Sequence, residues 1–188
     1  MTERFSPDRR LFLGGVAAVA LAACGDGVGG TVHGSRAATG APDEGEITVS
    51  VADKQAWQLS EAEWRERLTP EEFRVLRKEG TERAGTSPLD KTYAPGTYHC
   101  AGCDLPLFTS DMKFDSGTGW PSFFDAIDGA IETKRDFKLI LPRTEYHCAR
   151  CGGHQGHVFN DGPPPTGLRY CNNGVALRFA PAAESGEG

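Results

Sequence analysis

The spacing of apolar positions changes at about residue 80, and this change divides the predicted elements into two kinds. Before it, Trp64 and Leu68 are four apart, directly after the capping-box sequence Ser60-Glu61-Ala62-Glu63. This pattern predicts a short amphipathic helix, because residues four apart share one helical face. The sequence Thr69-Pro70-Glu71-Glu72 repeats the start signal ahead of Phe73 and predicts a second helix.

After residue 80 the apolar pattern is typical of strands and turns. Val175, Leu177 and Phe179 alternate with other residues, which predicts a half-buried final strand. Residues 130–141 predict a strand pair. We therefore expect a mainly β, antiparallel domain with short helices at its N-terminal edge.

The N-terminus has the pattern of an export signal. Arg9 and Arg10 precede an apolar run that ends in Leu21-Ala22-Ala23-Cys24. The run is too short to span a bilayer and is typical of a signal peptide, here resembling a twin-arginine signal. Its end resembles a bacterial lipobox, which predicts lipidation of Cys24 and a membrane anchor. An ordinary signal peptide with a stray cysteine and an uncleaved membrane anchor are the alternatives.

These patterns divide the chain into four parts. Residues 1–23 are the predicted signal peptide, and residues 24–48, poor in large apolar residues, are a predicted flexible tether. Residues 49–183 form the predicted domain, and residues 184–188 are a predicted disordered tail. The net charge of −6 argues against nucleic acid as a partner, because binding to phosphates needs clustered Lys and Arg.

Four of the six cysteines form two Cys-x-x-Cys pairs. Cys100 and Cys103 make the first pair, and Cys148 and Cys151 make the second. Two such pairs are typical of a structural site with one tetrahedral Zn²⁺ per chain. Two disulfides are the alternative in an exported protein, and redox-active pairs are a third reading, although no thioredoxin-like βαβ pattern surrounds them.

Cys171 remains as a candidate nucleophile. Arg169 lies two residues before it, on the same face of a strand, and supplies positive charge that favours a thiolate. His154 and His157 lie in a Gly-rich stretch nearby, and a histidine can deliver a proton near neutral pH.

Two longer segments, residues 113–123 (KFDSGTGWPSF) and residues 147–173 with the ending RYCNN, resemble the methionine-R-sulfoxide reductases of the B type. The resemblance covers roughly residues 53–180. It implies two antiparallel sheets packed together, with the zinc away from the catalytic cysteine. It also implies reduction of methionine-R-sulfoxide in oxidised proteins or peptides, which in an exported chain is a repair function.

The resemblance also implies roles for individual residues. Cys171 attacks the sulfoxide sulfur, while His154 and His157 protonate the oxygen and orient the group. Trp120 holds the S-methyl group. Phe159, Asp161 and Asn173 match further positions of the site, with Asn173 able to form hydrogen bonds near Cys171.

The chain departs from many family members at Thr118, where they carry a cysteine that resolves the oxidised nucleophile. With Cys24 lipidated, four cysteines on zinc and Cys171 in catalysis, none remains for this role. We therefore expect the reaction to leave a sulfenic acid on Cys171, which a thioredoxin-like protein or a small thiol then reduces. We also expect the enzyme to be a monomer. The alternatives are a zinc-stabilised binding module with an inert Cys171, and a thiol peroxidase.

Overall fold

The computed structural model describes residues 47–137 and 142–183. The predicted signal peptide, Cys24, most of the predicted tether and the tail at 184–188 lie outside the described residues. No helix in the described ranges is both long enough and apolar enough to cross a membrane.

Three short helices precede the sheets: α1 (Val51–Ala56), α2 (Glu61–Arg67) and α3 (Pro70–Lys78). Both predicted helices are confirmed, since Ser60 and Thr69 each form the expected capping box. Helix α1 was not predicted. Ser50 caps it in the same way, but none of its residues is buried, so it lacks the apolar face that would reveal it.

Nine strands form two antiparallel sheets within the described residues, which confirms the predicted fold class. The three-stranded sheet has the order β2-β1-β9, and the six-stranded sheet has the order β3-β4-β8-β7-β6-β5. The strands are β1 (Gly96–Cys100), β2 (Pro106–Thr109), β3 (Lys113–Phe114), β4 (Ser122–Phe123), β5 (Ile131–Asp136), β6 (Arg143–Cys148), β7 (His154–Phe159), β8 (Arg169–Asn172) and β9 (Leu177–Pro181).

Aromatic side chains hold the two sheets together. Phe108 of the smaller sheet stacks on Phe123 of the larger one, with ring centroids 4.1 Å apart. Tyr98 meets the same Phe123 edge-on at 5.0 Å, and all three rings are buried. Such contacts contribute about 0.5–1.5 kcal/mol each beyond the burial of their surface.

Two boundaries differ from the predictions. The strand predicted at residue 130 ends at Asp136, and its partner begins only at Arg143, so the pair extends beyond residues 130–141. The predicted tether ends at residue 48, yet Ile47 donates a backbone hydrogen bond to Asp128 and packs against the core. Val49 packs against the core as well, and the alternation of Ile47 and Val49 was the available sequence signal for this contact.

Strand β8 lies between β4 and β7 and carries Cys171 at the centre of the larger sheet. Cys171 is paired in register with His157 on one side and with Ser122 on the other. A Cβ atom at Gly156 would collide with the carbonyl oxygen of Cys171. The close approach of β7 and β8 beside Cys171 therefore requires glycine at this position.

Candidate active site and four-cysteine site

A cavity of about 140 Å³ lies beside Cys171. It brings together five residues that the sequence singled out: Trp120, His157, Phe159, Cys171 and Asn173. Its other lining residues were not predicted, and they are Thr81, Arg143, Gly156 and Asn172. Arg169, His154 and Asp161 do not line it.

The environment of Cys171 combines opposing effects on its ionisation. Burial raises the pKa of the thiol, whereas the charge of Arg169 and hydrogen bonds from Thr118 and Arg169 lower it. Burial is the larger effect, so the pKa lies above its ordinary value. The sequence led us to expect a thiolate, but in the free protein the structure favours the thiol at neutral pH.

Arg169 is held by Asp161 rather than by solvent. Its Nε and one terminal nitrogen both donate to the Asp161 carboxylate, each over 2.8 Å. The guanidinium also lies 4.4 Å from the centre of the Phe159 ring. The hydrogen bonds to Arg169 lower the pKa of Asp161, which keeps the pair charged. Asp161 therefore holds the Arg169 guanidinium in place, and the positive charge of this group lowers the pKa of Cys171.

His157 is oriented by a carboxylate that the sequence did not reveal. Its Nε2 lies 2.8 Å from Oδ2 of Asp136, and Arg143 donates to the same oxygen over 2.7 Å. Asp136 is buried and is the register partner of Arg143 across β5 and β6. The sequence alone could have indicated the pairing of Asp136 with Arg143 only if the register of the β5–β6 hairpin had been known.

His154 lies deeper than His157, with only 2% of its surface exposed. The two imidazole rings meet edge-on, with centroids 5.5 Å apart. His154 Nδ1 lies 2.9 Å from the buried Glu145, although the pair is not aligned as a hydrogen bond. Burial lowers the pKa of His154 despite this carboxylate, which favours a neutral imidazole. His154 therefore contacts the His157 ring on the side that faces the protein interior.

Glu82 connects two residues that line the cavity, Trp120 and Asn173, with the turn that follows Asn173. Its buried carboxylate accepts hydrogen bonds from the backbone N–H groups of Gly174 and Val175, over 2.6 and 2.9 Å. Its own N–H donates to the Asn173 side chain, and its carbonyl accepts from the Trp120 indole. The sequence gave no sign of this role, since a glutamate beside an arginine in a polar stretch is typical of the surface.

Cys100, Cys103, Cys148 and Cys151 form one buried cluster, with their four sulfurs within 4.8 Å of one another. Two of the sulfur pairs, Cys100–Cys151 and Cys103–Cys148, are 3.7 and 3.4 Å apart. Tetrahedral thiolates at 2.3 Å from a zinc ion would be about 3.8 Å apart, so the residues fit a metal ion. All five described cysteines are free, which favours a metal site over the alternative of two disulfides.

The cluster joins distant parts of the chain and is supported from outside. Cys100 ends β1, and Cys148 ends β6 in the other sheet. Arg150 donates a hydrogen bond to the Cys103 carbonyl, and Arg77 donates to that of Cys151. A bound ion would therefore tie the two sheets together.

Comparisons with known proteins match most of the described chain. A protein-family model described as the SelR domain matches residues 68–181. The peptide methionine sulfoxide reductase MsrB of Agrobacterium fabrum is 56% identical over 123 residues, which are 65% of this chain and 91% of the relative. MsrB of Leptospira interrogans is 52% identical over 121 residues, covering 64% and 92% of the two chains. The chloroplastic peptide methionine sulfoxide reductase B1 of Arabidopsis thaliana is 49% identical over 148 residues, covering 78% and 71%.

The raised pKa of Cys171 predicts a pH profile for its alkylation. Only the thiolate reacts with iodoacetamide, so the rate should rise about tenfold per pH unit from pH 7 towards pH 9 without a plateau. Arg169→Gln removes the cation that lowers the pKa, and it should slow the reaction at each pH. Mass spectrometry locates the adduct on Cys171.

The exposed Arg178, which is paired with Glu72 away from the cavity, provides the matched control. Arg178→Gln should leave the profile of Cys171 unchanged. A plateau already reached at neutral pH would show that the cation outweighs burial.

Proposed function

The chain belongs to the methionine-R-sulfoxide reductase family with a SelR domain, and we propose that its reaction takes place in the cavity beside Cys171. The enzyme is a peptide-methionine (R)-S-oxide reductase, which repairs oxidised methionine with electrons from a thiol. The observation that carries the proposal is the meeting of Cys171, His157 and Trp120 around one small cavity.

The cavity suits the end of an oxidised methionine side chain. A cavity of about 150 Å³ takes one benzene-sized molecule, so 140 Å³ has space for a methyl-sulfinyl group. Trp120 and Phe159 supply apolar surface for the S-methyl group. His157 provides a polar group for the sulfoxide oxygen on the same wall.

The chemical step transfers one oxygen atom to Cys171. The cysteine sulfur attacks the sulfoxide sulfur and forms a transient S–S bond. This bond and the S–O bond of the substrate then break as the oxygen bonds to the Cys171 sulfur, which leaves a sulfenic acid on Cys171 and releases methionine. The thiol proton ends on this oxygen, so thiol and sulfoxide become sulfenic acid and methionine without another reactant. Since burial favours the thiol, His157 serves to accept this proton and return it to the oxygen.

The two histidines then have different roles. His157 lines the cavity and is the proton carrier, held by Asp136 and Arg143. His154 lies behind it and positions its ring. Asp161 is reassigned from substrate binding to positioning Arg169, because its carboxylate is engaged by that guanidinium and lies outside the cavity.

The catalytic cycle ends with an external thiol. Thr118, whose hydroxyl lies close enough to Cys171 to lower the pKa of its thiol, occupies the position where many family members carry a cysteine. A threonine hydroxyl cannot resolve a sulfenic acid, so two external thiols reduce it, giving the free Cys171 thiol, a disulfide and water. A thioredoxin-like protein or a small thiol can supply them.

The four-cysteine cluster is proposed to hold one Zn²⁺ per chain. Zinc prefers tetrahedral thiolate sites, and four ligands leave no open position for substrate. The metal would contribute to folding by joining β1 to β6. It takes no part in the chemical step, because none of its ligands lines the cavity.

We further propose that the mature enzyme begins at a lipidated Cys24 and acts outside the cytoplasm on exported proteins. This rests on Arg9-Arg10, the apolar run and the sequence Leu-Ala-Ala-Cys. The tether after Cys24 would let a monomeric domain reach oxidised methionines near the membrane.

The roles of the two central residues can be tested with a peptide carrying either epimer of methionine sulfoxide. The wild type should reduce the R epimer and not the S epimer. Cys171→Ser should abolish turnover while leaving the fold intact, and His157→Asn should lower kcat about 10²–10⁴-fold. Retained turnover in Cys171→Ser would sink the proposal, and preference for peroxide over the peptide would favour a thiol peroxidase.

The missing resolving cysteine predicts a trappable intermediate. Single turnover without reductant should add one oxygen to Cys171, detectable by mass spectrometry and with a sulfenic-acid reagent. Because Thr118 contacts Cys171, Thr118→Cys should divert this intermediate to a disulfide with Cys171, and Thr118→Val should not. A wild-type disulfide between Cys171 and a cluster cysteine would contradict this scheme.

The lipid anchor predicts fractionation behaviour. Expressed with its N-terminus intact, the protein should be recovered with membranes and carry an acylated Cys24. Cys24→Ala should remain unacylated and lose this association. Unlipidated wild-type protein in the soluble exported fraction would show that the cysteine merely follows an ordinary signal peptide.

A further inference from the structure

A chain of buried side-chain amides connects the four-cysteine cluster to the strand that carries Cys171. The Gln155 amide donates a hydrogen bond to the Cys100 sulfur over 3.3 Å. Its oxygen accepts from the Asn172 amide over 3.4 Å, and the Asn172 oxygen accepts from the Tyr146 hydroxyl over 2.7 Å. Gln155, Asn172 and Tyr146 are all fully buried.

A second connection runs through the backbone of Gln155. Its carbonyl oxygen accepts from both the backbone N–H and the side-chain amide of Asn173, over 2.8 and 2.9 Å. Asn172 and Asn173 directly follow Cys171 and line the cavity. One residue therefore contacts a cluster sulfur with its side chain and holds the cavity wall with its backbone.

The cluster sulfur can set the direction of this chain. A metal-bound thiolate only accepts hydrogen bonds, so it requires the nitrogen of the Gln155 amide to face Cys100. The amide oxygen then faces Asn172, which must turn its own nitrogen towards Gln155 and its oxygen towards Tyr146. A free thiol can also donate, so it would remove this constraint on the Gln155 amide. The Asn172 nitrogen has a second acceptor, the Asn173 carbonyl at 2.8 Å, and the cluster adds to that contact through Gln155.

We propose that Gln155 is a positioning residue that couples the four-cysteine cluster to the active-site strand β8. It stabilises the loaded cluster through its hydrogen bond to Cys100, and the loaded cluster in turn orders Asn172 and Asn173 beside Cys171. The role fits a glutamine at a position with no access to solvent, where its amide would otherwise oppose folding. This inference rests on the proposed metal site and on the proposed role of Cys171.

Three variants separate the two ends of the coupling. Gln155→Leu removes both side-chain hydrogen bonds at similar volume and should affect both ends. Tyr146→Phe breaks only the far end of the chain at Asn172. Arg150→Ala removes a hydrogen bond to the Cys103 carbonyl, on the side of the cluster that does not lead to Cys171.

Two measurements on the zinc-loaded protein follow the four-cysteine cluster and strand β8 separately, and neither depends on catalytic turnover. Transfer of zinc to a coloured chelator reports the cluster, and iodoacetamide alkylation of Cys171 as a function of pH reports the strand. Gln155→Leu should release zinc about 10–100-fold faster. It should also speed Cys171 alkylation several-fold at pH 8, because a looser strand is less buried and burial is what raises the pKa of Cys171.

The other variants should each move one readout. Tyr146→Phe should speed alkylation and leave zinc release unchanged, whereas Arg150→Ala should speed zinc release and leave alkylation unchanged. Each variant must show cooperative thermal unfolding. If Gln155→Leu does not fold, Gln155→Met replaces it with an unbranched side chain of similar length.

The results also distinguish this inference from the proposed function. Wild-type protein without zinc would overturn the metal assignment and the coupling together. Normal zinc content with unchanged zinc release in the Gln155 variants would overturn the coupling alone. So would faster zinc release with an unchanged alkylation profile, or a Tyr146→Phe variant whose Cys171 reacts as in the wild type.

Discussion

The cavity beside Cys171 depends on one buried carboxylate, that of Glu82. Glu82 accepts hydrogen bonds from the two backbone amides that follow Asn173, and its own backbone holds the Trp120 indole and the Asn173 side chain. Burial raises the pKa of this carboxyl, against the two amides that lower it. The segment after α3 and the turn after Cys171 are thereby fixed to each other. Without the hydrogen bonds of Glu82, the position of Trp120 relative to Cys171 would not be fixed.

Local signals in the sequence were sufficient for much of the fold. The capping boxes at Ser60 and Thr69 operate within three residues, and each Cys-x-x-Cys pair closes within one turn. The alternation of Leu177 and Phe179 in the final strand is equally local, whereas Val175, predicted in the same strand, lies in the short 3-10 helix before it. Helix α1 was missed despite its Ser50 capping box, because it buries no residue and so shows no apolar periodicity. The contact of Ile47 with the core was missed although Ile47 and Val49 alternate with polar residues, because so short a pattern does not by itself predict packing.

The site was predictable where residue types carry their own chemistry. Cys171 and His157 were found on that basis, Trp120 was found through the family resemblance, and the structure brings the three together. Asp136 and Glu82 were missed, since their roles depend on strand register and on burial rather than on spacing. The ionisation of Cys171 was also misjudged: Arg169 is visible in the sequence, but the burial that outweighs its charge is a property of the packed fold.

The size of the cavity has a consequence for which proteins can be repaired. A space of about 140 Å³ admits the tip of a side chain but not the backbone that carries it. An oxidised methionine inside a client's folded core must first be released by local unfolding. Repair should then follow the conformational freedom of the client, so that flexible segments are restored first. The enzyme would therefore repair exposed methionine sulfoxide first. The repair rate of a buried methionine sulfoxide would be set by the equilibrium between the folded and the locally unfolded state of the oxidised protein.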